Sequence, residues 1–238
     1  MKEFLLDNKS FLIKGFEIMA AVIGILYFKK YKNTAAKYFI YILIYVAVIE
    51  LIGAYTIYVN KYEFLKSIKV FLKGTVFEKN RWWYTLFWSI GGVKVFSFYY
   101  QKILNNKTFI KILKWSTFSF LGISLVFIIS DVSRFFTGTF PAISILGSII
   151  IMQCAFFYFF EILQSDKVLM FYKTLNFYIS ASILIFWLVN TPLIFFSKYY
   201  TIQDQEYVHL KTFIMLGAIG FMYTTFAIGL IVSKPEYD

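Results

Sequence analysis

Seven long apolar stretches, near residues 10–28, 38–59, 82–101, 110–130, 138–162, 173–197 and 208–232, fill nearly all of this 238-residue chain. A helix needs about 20 mostly apolar residues to cross a bilayer core, and there every backbone polar group must be satisfied internally. The pattern predicts an all-α fold: a polytopic transmembrane bundle of seven helices in one domain, 1–238. The connecting segments are too short for an appended kinase or nucleotide-binding domain. Composition agrees, because only 16% of residues are charged where a soluble domain carries about 25%.

The net charge of +11 does not point to nucleic acid. Lysines flank the apolar stretches, where they meet lipid phosphates and set orientation. Arg81 and Arg134 are the only arginines, and a phosphate-gripping surface favours guanidinium forks. The expected surroundings are a lipid bilayer, with a small solute or ion, or a membrane-protein partner, as further company. Cys154 stands alone within the fifth stretch, so no intramolecular disulfide is expected and the compartment cannot be read from it. The first stretch carries Lys14 and Glu17 and runs into Lys29, Lys30 and Lys32, the pattern of a retained anchor rather than a cleaved leader.

Seven spans place the termini on opposite sides. Lysine and arginine number 11 on each side when Lys14 and Lys94, inside spans, are left out. The tie rests on segment 61–76, where Phe64, Leu65, Ile68, Phe71 and Leu72 recur at helical spacing opposite Lys66, Lys69 and Lys73. This reads as an amphipathic helix lying in the membrane interface. Without Lys61, Lys66, Lys69 and Lys73 the count is 11 against 7. The expectation is an inner (plasma) membrane protein with its N-terminus outside and its C-terminus in the cytoplasm. If the surface helix is cytoplasmic, the orientation inverts. Trp82, Trp83, Tyr84, Tyr99, Tyr100, Tyr199 and Tyr200 mark span ends as interfacial anchors.

Ionisable and polar residues within spans are costly and tend to face the bundle interior. Glu50, in AVIELIGAY, shares a helix side with Ala47, Gly53 and Ala54, small residues that let another helix approach. Lys94, beside Gly91 and Gly92, is expected to be buried and to pair across helices with Glu161. Lys14 and Glu17, three apart, are expected to pair along one face. Gln153 and Asn190 are expected to bond between helices. Pro192 removes a backbone donor and predicts a kink beside Asn190.

Several chemistries are excluded. His209 is the only histidine, too few for a catalytic zinc or for a serine nucleophile with a histidine base inside the membrane. GISL at 122–125 lacks the glycine that intramembrane serine proteases place after the serine. The last stretch, FIMLGAIGFMYTTFAIGLIV, has no lysine for a retinal Schiff base. No phosphate-binding glycine loop and no arginine ladder occurs. Seven spans are also the plan of the PQ-loop carriers, but no Pro-Gln pair exists and the internal repeat is faint. No cofactor or metal is expected.

The segments YFKKYKNTAAKYFIYILIYVAVIELIGAY at 27–55 and FFYFFEILQSDKVLMFYKTLNFYIS at 156–180 resemble a family of small, stand-alone, seven-span bacterial membrane proteins without an assigned activity. The resemblance implies that Glu50 and Glu161 are signature positions and brings no substrate with it. Three readings follow. The first is a non-enzymatic bundle whose internal polar cavity, lined by Glu50, Lys94 and Glu161, takes a small solute, proton or ion. The second is a membrane-embedded sensor or partner subunit. The third and weakest is a lipid-modifying enzyme around Glu161, Gln164, Ser165 and Asp166.

Overall fold

The computed structural model describes residues 5–6, 8–165, 170–196 and 204–235; Asp166, Tyr199 and Tyr200 lie outside them. The described residues are helical throughout, without a strand beyond one isolated bridge between Thr174 and Lys234. The principal helices are α1 (Lys9–Leu26), α2 (Ala36–Gly53), α3 (Gly91–Ile103), α4 (Lys107–Ser130), α5 (Pro141–Leu163), α6 (Leu175–Phe196) and α7 (Gln205–Val232).

Five helical stretches are long and apolar enough to cross a membrane: Ala36–Lys61, α4, α5, α6 and α7. These, with apolar side chains exposed all round the bundle, such as Leu26, Phe118, Val126, Ile129 and Leu188, give the chain the character of a membrane protein. The other two apolar stretches fall short of that measure for a physical reason. α1 has 18 residues and carries Lys9, Lys14 and Glu17. The stretch leading into α3 begins with Arg81–Trp83 and widens into a π-helix, Tyr84–Ile90, before α3 resumes.

Local signals set the helix ends. Asn106 accepts from the backbone N–H of Thr108 at 2.9 Å, capping α4, and Asp204 caps α7 through Tyr207 N–H at 3.4 Å. Pro141 opens α5, where its missing donor costs nothing. α6 runs through Pro192 without ending there. The surface segment is shorter than its sequence pattern: a 3₁₀ turn Glu63–Leu65 and a helix Lys66–Leu72. It stops because Lys73 is extended and Gly74 takes φ 77°, the left-handed region glycine tolerates.

α1, α2, α3, α5, α6 and α7 pack side by side into a closed ring, and α4 lies outside it against α3 and α5. Close approaches depend on glycine: a Cβ at Gly147 would sit 2.8 Å from Val93 Cγ2, where α5 meets α3. Tyr99 and Tyr100 are fully buried. Tyr99 donates to Asn176 Oδ1, and Tyr100 shares a 2.8 Å hydrogen bond with Ser180. They are interior ties between α3 and α6, not interfacial anchors. At the same end, Lys30 donates to the carbonyls of Leu230 (3.1 Å) and Ile231 (2.9 Å). A cation there suits the negative end of the α7 dipole, although burial lowers the Lys30 pKa.

Candidate functional site

α1 enters the bundle at Lys9, α2 leaves it at Gly53, the π-helical stretch enters at Arg81 and α7 enters at Gln205. These four ends share one face, the N-terminal face, and between them lies a cavity of about 790 Å³. Glu17 and Glu50 line it, within electrostatic reach of each other and of Lys14. Lys9, Arg81 and Lys211 line it as well.

The Glu50 side is built where α2 meets the stretch that leads into α3. Gly53 leaves no room for a Cβ, which would fall 2.8 Å from Trp83 Cδ1. That closeness lets Trp83 Nε1 donate to Ile49 O at 3.0 Å and Asn80 Nδ2 donate to Gly53 O at 2.6 Å. Tyr84 Oη then donates to Glu50 Oε2 at 3.0 Å. The π-helix widens the turn here, and Tyr45 Oη donates to Phe87 O at 2.7 Å. Such π turns recur at functional sites. Trp83 and Tyr84, expected as lipid anchors, instead turn inward onto α2.

Glu17 is the deeper group. It is 3% exposed, and its Oε2 is buried without any hydrogen-bond partner. Eight residues separate it from Lys9, about 12 Å along the helix. The expected pairing with Lys14 does not occur: the Lys14 ammonium lies over the Tyr58 ring, 5.5 Å from its centroid. Three residues around a helix is about 300°, or about 60° the short way, so the two share a side of α1; Glu17 is buried, while the longer Lys14 side chain reaches out to Tyr58, in the helical extension of α2 (Tyr55–Lys61).

The remaining expected site residues disperse. Lys94 is exposed on the outer surface of α3, one residue past the buried Val93 that packs on Gly147. It does not meet Glu161. The Glu161 carboxylate instead receives Asn105 N–H (2.9 and 3.1 Å), Asn105 Nδ2 (2.7 Å) and Asn106 N–H (3.1 Å), and so holds the turn that starts α4. It borders a second cavity of about 480 Å³ at the opposite face, with Lys102 and Lys234. Ser165 Oγ donates to Ile162 O at 3.0 Å. Gln153 lies in an outward groove between α4 and α5, with Ser116 and Ser119. Asn190 Nδ2 donates to Phe186 O at 2.8 Å within its own helix, while the neighbouring Thr191 donates to Ser148 Oγ at 3.2 Å and makes the cross-helix bond.

Of the sequence-singled residues, Glu17 and Glu50 converge; Lys94, Glu161, Gln153 and Asn190 do not. Tyr84, Arg81 and Lys211 were not singled out as site residues. Tyr84 has a readable signal: it lies three residues into one helical stretch, as Glu50 lies three residues before the end of its antiparallel neighbour. Among the described residues no cluster of three His, Cys, Asp or Glu could hold a metal ion.

No family model, no curated protein and no solved structure matches this chain.

Proposed function

We propose that this chain is a non-enzymatic, seven-span protein of the bacterial inner membrane whose N-terminal-face cavity takes a small solute, ion or proton, with Glu17 and Glu50 as its binding carboxylates. The observation that carries the reading is Glu17: a buried carboxyl oxygen without a partner, at the floor of a cavity of about 790 Å³. An unsatisfied buried polar group costs roughly 1–3 kcal/mol, and such a group persists where a ligand or water completes it. The orientation, N-terminus outside, rests on the lysine and arginine count, so the cavity opens outward.

Labelling with a water-soluble carbodiimide, read by peptide mass spectrometry on the protein in lipid nanodiscs, tests this. Modification of Glu17 and Glu50, lost site by site in Glu17→Gln and Glu50→Gln, is the expected result. Absence of labelling at both, while surface carboxylates such as Glu63 and Glu78 react, overturns the reading.

A second reading, a sensor or partner subunit, draws on the exposed Phe64, Val70 and Phe71 of segment 63–72. It predicts a stoichiometric second protein on purification in mild detergent; a monodisperse single species counts against it.

A further inference from the structure

We infer that the ligand of the N-terminal-face cavity is a small zwitterion, its ammonium seated on Glu17 and Glu50 and its acidic group held by Lys9, Arg81 and Lys211. This rests on the reading of the cavity as a solute site and names the class of solute.

The charges in this cavity are sorted by depth. Glu17 lies eight residues inward from Lys9 on α1, about 12 Å. Tyr84, which donates to Glu50, lies three residues inward from Arg81. On α7, Lys211 stands one turn outward of Met215 and two of Ile219, which line the cavity further in. The cations ring the mouth and the carboxylates form the floor, one to two helical turns apart.

That separation is itself informative. Among the described residues neither carboxylate forms an ion pair with the cavity's cations; Glu50 accepts from a tyrosine hydroxyl, Glu17 Oε2 has no hydrogen-bond partner, and Lys14, which lies within electrostatic reach of both, is turned to the Tyr58 ring. Glu17 is buried without the compensation that burial demands, while Lys9 and Arg81 are exposed at the mouth and Lys211 is half-buried; a ligand carrying both signs compensates the floor and bonds the rim in one molecule. A purely cationic solute must pass three cations, and a purely anionic one ends against two carboxylates. A divalent cation, held by two carboxylates and several waters, must pass the same three cations and leaves the apolar lining unused. A proton alone leaves the mouth cations and the volume without a role. Ile13, Trp88, Phe186 and Met215 give the cavity apolar walls, the lining that receives a hydrocarbon stem.

Three probes sharing one stem separate the cases: 6-aminohexanoate, hexylamine and hexanoate, titrated calorimetrically into the full-length protein in nanodiscs. The zwitterion is expected to bind at least tenfold more tightly than either single-charge analogue. Glu17→Gln is expected to weaken 6-aminohexanoate and hexylamine at least tenfold and leave hexanoate unchanged, with Arg81→Gln giving the mirror pattern. Hexylamine equal to or tighter than 6-aminohexanoate overturns the zwitterion and leaves a cation cavity standing. Hexanoate equal or tighter overturns it in favour of an anion site. If none of the three binds saturably, the inference falls, and the carbodiimide result decides separately whether the cavity reading falls with it. The wild-type comparison needs no variant to fold.

Discussion

Replacing Glu17 with methionine should make the protein more stable, not less. The wild-type side chain is 3% exposed and its Oε2 has no hydrogen-bond partner, so the empty protein bears the desolvation of that group, about 1–3 kcal/mol. Methionine has nearly the same length, adapts to irregular space and carries no group to desolvate. Its neighbours along the same side of α1, Ala20, Ala21 and Gly24, are buried and small, so the added apolar surface packs there, and the repulsion between Glu17 and Glu50 is removed. For a chain of this size each kcal/mol moves the unfolding midpoint by about 2–4 °C, which predicts a rise of about 2–12 °C for Glu17→Met. The assay is a tryptophan-fluorescence melt in nanodiscs without added solute, all variants at one scan rate because such melts are often irreversible. Stability gained where binding is lost is the trade expected of a functional site. A midpoint lowered by more than about 2 °C would mean instead that Glu17 holds the bundle together.

Three further outcomes follow from the packing. Lys94→Leu should leave the midpoint within about 2 °C, because surface changes away from specific partners stay within about 0.5 kcal/mol; a drop beyond that would restore the buried, paired lysine. Glu161→Ala should cost about 1–2 kcal/mol, as loss of a helix-start acceptor does, with faster amide exchange concentrated at Asn105 and Asn106; uniform exchange would contradict the capping role. Gly147→Ala should cost about 1–3 kcal/mol through overpacking, since its Cβ would meet Val93 Cγ2 at 2.8 Å, and Val93→Ala in the same chain should recover most of it.

Much of the helical layout was legible because it follows from apolar run length. Helices occupy each apolar stretch, with ends within a few residues of those read from the sequence. The lysine pattern of 61–76 overstated a helix that Gly74 ends early. The site was legible in halves. Glu50 announced itself through Gly53 and Ala54, and Gly53 does admit Trp83 and Tyr84. Glu17 did not, because a lysine three residues away is an adequate local explanation in one dimension. Only the third dimension shows Lys14 drawn off to Tyr58. Lys94 misled for the opposite reason. Gly91 and Gly92 suggested a tight interior position, yet only Gly91 makes a close approach, to the Tyr45 hydroxyl, while nothing lies within 4 Å of a Cβ at Gly92 and Lys94 is exposed. Whether Tyr84 anchors in lipid or donates to a carboxylate depends on a π turn, and no residue pattern in YTLFWSI announced one.

The most direct measurement is an experimental structure in a lipid nanodisc, at a resolution that shows ordered water, with attention to Glu17 Oε2. The account predicts ordered density, water or solute, within hydrogen-bond distance of that oxygen and continuous with the N-terminal face past Arg81 and Lys211. A dry cavity in which Glu17 is satisfied by a neighbouring backbone or side chain would contradict it.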